Sequence, residues 1–194
     1  MSSKNRIITV PAFSDNYIWL ICDESQQYAA IVDPGDAKPV IETLEKNHIQ
    51  PVAILITHFH ADHVGGISKL LEKYPDLPVY GPATERIPHI TQPLNGGEEI
   101  RIDQIDADFK VMSVHGHTAG HIAYYTLEES ADQNGEAGCG RVFNGTMKDL
   151  HDSLAKISTL PKDTLIYCAH EYTLDNIGFA KWVEPDSQAL LTRE

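Results

Sequence analysis

The chain has 194 residues, which is enough to bury one sizeable core and to form a single domain. Its formal net charge of -13 argues against nucleic acid and anionic membranes as partners, because both are bound through clustered lysine and arginine. No apolar run approaches the ~20 residues of a membrane span, and the first residues lack the apolar core of a secretory signal. With three cysteines and no CxxC pair, we expect reduced thiols and a cytoplasmic protein.

In chain order, apolar and β-branched runs bounded by turn residues predict strands at residues 6–11, 17–22, 28–33, 52–57, 77–80, 98–102, 109–114, 122–127 and 164–169. Amphipathic helices are predicted over residues 36–48, 63–74 and 146–158. Strands and helices that alternate in this way predict an α/β fold of two sheets packed between helical layers. Residues 128–140 are polar and acidic, which indicates a loop, and residues 183–194 show no fold of their own.

The densest chemical feature is HFHADH at residues 58–63, directly after an apolar run. If that run ends a buried strand, His58 and His60 point to one side, while Asp62 and His63 begin the next helix and turn back towards them. Imidazole nitrogens with a carboxylate suit zinc, iron or manganese, and the spacing does not choose among these metals. A solvated polar loop is the alternative interpretation, but this density of ligand types favours a metal site.

Two further histidines follow predicted strands. His117 comes after a glycine turn at the end of the strand predicted over residues 109–114, and His170 stands at the end of the strand predicted over residues 164–169. Catalytic groups in α/β proteins often lie at strand ends, so both are candidate ligands. His115 and His121 are expected to support the ligands from outside or to lie on the surface.

The motifs together resemble the metallo-β-lactamase superfamily and, within it, the glyoxalase II (hydroxyacylglutathione hydrolase) family. HxHxDH carries the resemblance to the superfamily, and FSDNYIW, IVDPGDA, GHTAGHIAYY, GCGRVFNGT and CAHEYTLDN carry the resemblance to the family. The resemblance covers residues 7–185. It implies an αββα sandwich in which residues 1–182 form the catalytic domain.

The resemblance also implies a centre of two divalent metals, zinc in the first instance, with iron or manganese as alternatives. His58, His60 and His117 would hold one metal, and Asp62, His63 and His170 the other; Asp62 is also the candidate catalytic residue. A hydroxide bridging the metals would attack the thioester of S-D-lactoylglutathione, giving D-lactate and glutathione in methylglyoxal detoxification. Positions matching Arg141, Phe143 and Tyr172 contact glutathione in the family. We expect a monomer that binds this small thioester.

The chain departs from the family in two places that matter. Family members carry an apolar strand ending in an aspartate that bridges the metals, shortly before the GCGR motif. Here either Asp132 takes that position as a seventh ligand, or the strand is deleted and Asp132 aligns by accident; a bridging carboxylate needs a rigid strand, which favours deletion. The family also continues into a C-terminal helical domain, so residues 183–194 are expected to be a truncated tail.

These departures leave two other functions open. One is a promiscuous or β-lactamase-like hydrolase on the same fold, because a missing C-terminal domain would open the cleft. The other is an inactive relative that binds one metal or none.

Overall fold

A computed structural model describes residues 6–126 and 141–192 of the chain. The strands form a six-stranded sheet in sequence order and a three-stranded sheet, also in sequence order. The strands of the larger sheet are β1 (Arg6–Ala12), β2 (Asn16–Cys22), β3 (Tyr28–Val32), β4 (Gln50–Leu55), β5 (Val79–Pro82) and β6 (Gln92–Leu94). Those of the smaller sheet are β7 (Glu99–Ile102), β8 (Ala107–Ser113) and β9 (Ile122–Tyr125). The helices are α1 (Ala37–Asn47), α2 (Ala61–Val64), α3 (Ile67–Lys73), α4 (Met147–Ile157), α5 (Thr173–Val183) and α6 (Gln188–Leu191), with a 3-10 turn at Asp103–Ile105.

The central strand β4 is apolar on both faces because it separates two cores. Ile54 faces the cluster that contains the buried side chains of α1 and α3, whereas Ala53 and Leu55 face the smaller sheet. Successive residues of a strand point to opposite faces, so this unbroken apolar run matches a strand buried on both sides. Pairing is antiparallel from β1 to β3 and parallel from β3 to β6. The two sheets therefore lie face to face beneath a helical layer.

Helix α1 begins where Asp36 caps it, the carboxylate accepting a hydrogen bond from the Lys38 backbone N–H at 2.9 Å. Its buried Val40 and Leu44 lie on one side, as the amphipathic pattern predicts. On the other side of the molecule, α4 contacts the end of β8, where the Ser153 hydroxyl donates to the His115 carbonyl at 2.7 Å. Among the described residues, no helix has the length and apolar character needed to cross a membrane.

Two predicted elements differ in the structure. The helix predicted over residues 63–74 is divided into α2 and α3 by Gly65 and Gly66, where an added Cβ would come within 2.7 Å of the Gly35 carbonyl and 2.4 Å of the Pro34 carbonyl, respectively. The strand predicted over residues 164–169 is wrong: the segment is irregular, and Ile166 and Tyr167 are 44% and 47% exposed. A strand needs a neighbouring ladder, and the described pairing here is a single bridge between Asn16 and His170.

Helix α5 and strand β6 were not predicted. Helix α5 lacks an amphipathic period, and Leu174, Phe179 and Trp182 on it are exposed. Without that period, its sequence carries no signal that separates a helix from other apolar segments. Within the predicted tail, α6 forms a single turn.

Candidate metal centre

Six predicted ligand residues come together at the ends of strands and the start of α2. His58 follows β4 after two intervening residues, Ile56 and Thr57, and His60 is the residue that precedes α2. His117 lies in the turn between β8 and β9, and His170 lies just before α5. Their ligand atoms form two groups in which every atom lies within 4.8 Å of the others: the first trio, His58, His60 and His117, and the second trio, Asp62, His63 and His170.

In the first trio, three imidazole nitrogens converge. His60 Nδ1 lies 3.0 Å from His58 Nε2 and 3.1 Å from His117 Nε2. The His117 Nδ1 atom lies 2.7 Å from the Arg141 carbonyl, which can only accept, so Nδ1 carries the proton and Nε2 offers a lone pair. The unshared electron pair of His117 Nε2 therefore faces His60 Nδ1.

The tautomer of His58 is fixed by a chain of hydrogen bonds. The Thr57 hydroxyl lies 2.7 Å from Asp33 Oδ2 and 3.0 Å from His58 Nδ1. The single hydroxyl proton goes to the carboxylate, so the hydroxyl oxygen accepts from His58 Nδ1–H. Nε2 of His58 is left unprotonated and faces the first trio. Burial lowers the pKa of His58, and the neighbouring imidazole of His63 lowers it further, which keeps the ring neutral.

In the second trio, the Asp62 carboxylate lies between two imidazoles. Asp62 Oδ2 is 3.5 Å from His63 Nε2 and 3.3 Å from His170 Nε2. Burial acts to raise the pKa of Asp62, but a hydrogen bond from Asn16 and the proximity of His63 outweigh it, so the pKa lies below its usual range. Asp62 is therefore ionised near neutral pH, the state in which a carboxylate binds a cation.

The outer nitrogens of the second trio face carboxylates. His63 Nδ1 lies 2.9 Å from Asp33 Oδ2, and His170 Nδ1 lies 3.4 Å from Asp15 Oδ1. Carboxylates in this place orient imidazole ligands so that the other nitrogen faces a metal. Burial alone would lower the pKa of His63, but the carboxylates of Asp33 and Asp62 together outweigh burial, so the pKa is raised.

Both trios fit a divalent metal by their donor sets. A tetrahedral ion with nitrogen bonds of ~2.0–2.1 Å separates its ligand atoms by about 3.3 Å, close to the spacings within the first trio. Nitrogen and carboxylate oxygen are ligands for zinc, iron and manganese alike. The rings of His58 and His63 have centroids 3.9 Å apart, so the two trios are neighbours.

Comparisons with known proteins agree with this geometry. The family model of the metallo-beta-lactamase superfamily matches residues 13–170. The chain is 46% identical over 190 residues to a hydroxyacylglutathione hydrolase of Nitrosomonas eutropha, covering 97% of this chain and 73% of the relative. It is 50% identical over 190 residues to a hydroxyacylglutathione hydrolase of Aeromonas hydrophila, covering 96% and 73%. The chain belongs to the hydroxyacylglutathione hydrolase family. The predicted membership of this family of hydrolases is thereby confirmed.

Solved structures support the metallo-β-lactamase fold of this family member. ETHE1 from Myxococcus xanthus is similar with a TM-score of 0.67 and 27% identity, covering 87% of this chain and 76% of that protein. TTHA1623 in a di-iron-bound form is similar with a TM-score of 0.65 and 27% identity, covering 85% and 91%. The predicted αββα fold class is confirmed.

The three predicted substrate contacts of this hydroxyacylglutathione hydrolase family member lie around the trios. The Phe143 ring is 4.5 Å from the ring of His60, and the Arg141 guanidinium lies 5.1 Å from the Phe143 centroid. Tyr172 stacks on His170 with centroids 5.1 Å apart and planes 4° apart. Arg141 and Phe143 therefore flank the first trio, and Tyr172 flanks the second.

Three further predicted residues, His121, His115 and Asp132, are not members of the two trios. The centroid of the His121 ring lies 4.6 Å from that of the His58 ring. Burial lowers the pKa of His121 to about 3, so a neutral ring packs beside the first trio. The His115 side chain is exposed. Asp132 lies outside the described residues.

Sequence reasoning did not assign roles to several residues that support the ligands. Asp33 accepts from the Thr57 backbone N–H at 2.8 Å and faces both Thr57 and His63, and Asn16 donates to Asp62. Glu85 accepts from the Thr118 hydroxyl and the Gly120 backbone N–H beside His117. Asn16 lies in the motif FSDNYIW and Asp33 lies in IVDPGDA, so these two motifs could have indicated that both residues belong to the site. Glu85 lies in no such motif.

Proposed function

We propose that the protein hydrolyses S-D-lactoylglutathione to D-lactate and glutathione, using two divalent metals held by the two trios. The observation that carries the proposal is the pair of adjacent trios in a chain whose relatives are named hydroxyacylglutathione hydrolases. The product acid and thiol are those released in methylglyoxal detoxification. Zinc is the proposed metal, with iron or manganese as alternatives that the same ligands accept.

The metals supply the chemistry that the side chains lack. Divalent metals at such a site lower the pKa of water to near neutrality and polarise a carbonyl oxygen. The protein's own residues supply the lone pairs, fix the tautomers through Thr57 and the Arg141 carbonyl, and keep Asp62 ionised. Hydrolysis of the thioester then requires no serine or cysteine nucleophile.

Arg141, Phe143 and Tyr172, which flank the two trios, would bind the glutathione part of the substrate. Glutathione carries carboxylates, and in a chain of net charge -13 such a substrate needs a local cation. Arg141 is exposed and lies over Phe143 beside the first trio, where its guanidinium can pair with a carboxylate. Tyr172, stacked on His170, offers an aromatic face and a hydroxyl on the other side. The thioester would lie between these groups.

The proposal is tested by steady-state hydrolysis of S-D-lactoylglutathione by zinc-loaded protein, measured beside a cephalosporin substrate. We expect turnover of the thioester that His58→Ala lowers by at least about 100-fold, since a ligand essential to the metal is lost. Preferential turnover of the cephalosporin would indicate a β-lactamase-like hydrolase. Absence of turnover on both substrates by metal-loaded protein would indicate an inactive relative.

We further propose that the protein works as a cytoplasmic monomer. The Cys22 thiol lies buried in the core and takes no part in a disulfide, which agrees with a reducing compartment.

A further inference from the structure

We infer that Asn16 is a positioning residue for the second trio, holding Asp62 through its side chain and lying opposite His170 in a backbone bridge formed by its neighbours Asp15 and Tyr17. This inference rests on the proposed function, because it concerns the metal that the second trio would bind. It places one buried amide between two ligands that are far apart in the sequence, where it orients the carboxylate of Asp62.

The side-chain contact is direct. Asn16 is 7% exposed, and its Nδ2 donates to Asp62 Oδ2 at 3.0 Å. The same carboxylate oxygen faces His63 Nε2 and His170 Nε2, so Asn16 binds the oxygen that faces the trio. A carboxylate is free to rotate about its last torsion, and a fixed N–H donor selects one orientation. Loss of that donor would release the Asp62 oxygen from the place where the metal needs it.

The backbone contact places His170. Residues 16 and 170 form an antiparallel bridge, with the Tyr17 N–H donating to the Ala169 carbonyl at 2.8 Å and the Glu171 N–H donating to the Asp15 carbonyl at 2.9 Å. Bonds on both flanks make Asn16 and His170 a non-hydrogen-bonded pair. Side chains of such a pair lie on the same face and are the closer of the two pair types in an antiparallel ladder.

The irregular segment before His170 makes this bridge more important. The strand predicted over residues 164–169 is not formed, so no described ladder aligns His170 from that side. Asn16 is the first residue of β2, which is paired along its whole length with β1 and over residues 19–22 with β3. The bridge therefore ties His170 to a rigid strand. Asn16 is suited to this position because a short amide can donate to a carboxylate without adding negative charge beside it.

The test is a zinc titration of metal-free protein in competition with a chromophoric chelator, which resolves stoichiometry and affinity without using activity. Asn16→Leu keeps the branched skeleton of the side chain and removes the donor. We expect wild-type protein to bind two zinc ions, and Asn16→Leu to retain one while binding the other about 10- to 100-fold more weakly, the usual effect of losing a group that orients a ligand.

Two further variants identify which trio is affected. His60→Ala removes a ligand of the first trio, so the double variant with Asn16→Leu should lose tight binding at both sites. Tyr17→Phe is the matched control: it removes the hydroxyl that donates to Glu171 at 3.1 Å, between the same two segments, without touching a ligand. Tyr17→Phe should bind both ions as wild type does.

The outcomes separate this inference from the proposed function. If wild type binds two ions and Asn16→Leu binds both with unchanged affinity, the inference is overturned and the proposed function stands. The inference is also overturned if Tyr17→Phe weakens zinc binding as much as Asn16→Leu, because the effect would then be general loosening of the junction. Wild-type protein that binds no zinc would overturn the proposed function as well. Circular dichroism of each variant establishes that it is folded.

Discussion

At the scale of single residues, Thr57 connects the buried carboxylate of Asp33 to the imidazole of His58. Its hydroxyl donates to Asp33 Oδ2 and accepts from His58 Nδ1, so one small side chain determines which nitrogen of His58 faces the first trio. Asp33 in turn lies 2.9 Å from His63 of the second trio. The carboxylate of Asp33 therefore faces an imidazole of the second trio directly and one of the first trio through Thr57.

We expect Thr57→Val to weaken zinc binding at the first trio by roughly 10- to 100-fold, because His58 loses the acceptor that fixes its tautomer. Zinc titration against a chelator measures the effect. Thr43→Val is the control, since the Thr43 hydroxyl donates to the Pro39 carbonyl at 2.8 Å inside α1, away from the trios. Equal affinities in Thr57→Val and wild type would contradict this role of the hydroxyl.

Arg141 lies beside the first trio with both its backbone and its side chain. Its carbonyl accepts from His117, and its guanidinium lies over Phe143 at the edge of the first trio. Replacement of the side chain leaves the carbonyl in place, so substrate binding and ligand orientation can be separated.

For Arg141→Ala we expect KM for S-D-lactoylglutathione to rise about 10-fold, equivalent to roughly 1.4 kcal/mol of lost binding. The zinc stoichiometry should not change, because the carbonyl that orients His117 remains. Steady-state kinetics and metal analysis provide the two measurements. Lys38→Ala, which removes an exposed charge on α1, should leave KM unchanged. An Arg141→Ala enzyme with wild-type KM would exclude the guanidinium from substrate binding.

At the scale of elements, the turn that carries His117 is held by a carboxylate from a different part of the chain. Glu85, just after β5, accepts from the Gly120 N–H at 3.0 Å and from the Thr118 hydroxyl. Thr118 is fully buried, so its hydroxyl depends on this acceptor. On the other side of the turn, Gly116 adopts a φ of +136°, and an added Cβ would lie 2.4 Å from the Leu150 Cα of α4. The turn therefore packs between the segment that follows β5 and helix α4.

We expect Glu85→Ala to lower the free energy of unfolding by about 1–3 kcal/mol, because buried donors are left without an acceptor. Glu85→Gln keeps an acceptor oxygen in nearly the same place and should lose less. Urea unfolding of the metal-free proteins measures both changes. A loss as large in Glu85→Gln as in Glu85→Ala would show that the charge of Glu85, and not its acceptor oxygen, stabilises the turn.

At the scale of the whole molecule, each trio joins segments that are distant in the sequence. The first trio joins residues 58–60 to residue 117, and the second joins residues 62–63 to residue 170. A metal bound to either trio would hold these segments together, and a ligand that binds only the folded state stabilises it by mass action.

Removal of the metals with a chelator should lower the melting temperature. With zinc at about 1,000 times its dissociation constant, one site contributes about 4 kcal/mol, or roughly 8–16 °C for a chain of this size. Thermal melts followed by circular dichroism, with and without zinc, measure the shift. His60→Ala should show a smaller zinc-induced shift than His89→Ala, whose exposed imidazole contacts Ser68 outside the trios. Equal shifts in the two variants would contradict binding at the first trio.

Elements with clear periodicity and ligands with local spacing could be predicted from the amino-acid sequence. The unbroken apolar run of β4, the apolar face of α1 and the HxHxDH motif are local features, so His58, His60, Asp62 and His63 could be placed beside one another. Family resemblance then assigned His117 and His170 to their trios. The irregular structure of residues 164–169 could not be predicted, because strand formation depends on a neighbouring strand that is distant in the sequence.

The groups that orient the ligands became visible in the folded chain. Thr57 and the Arg141 carbonyl determine which imidazole nitrogens face the first trio, and Asn16 contacts both Asp62 and His170. These are hydrogen bonds between groups brought together by the pairing of strands. A pattern along the chain reports which residues can be ligands, whereas the position of a proton or a carboxylate oxygen depends on neighbours that only folding supplies.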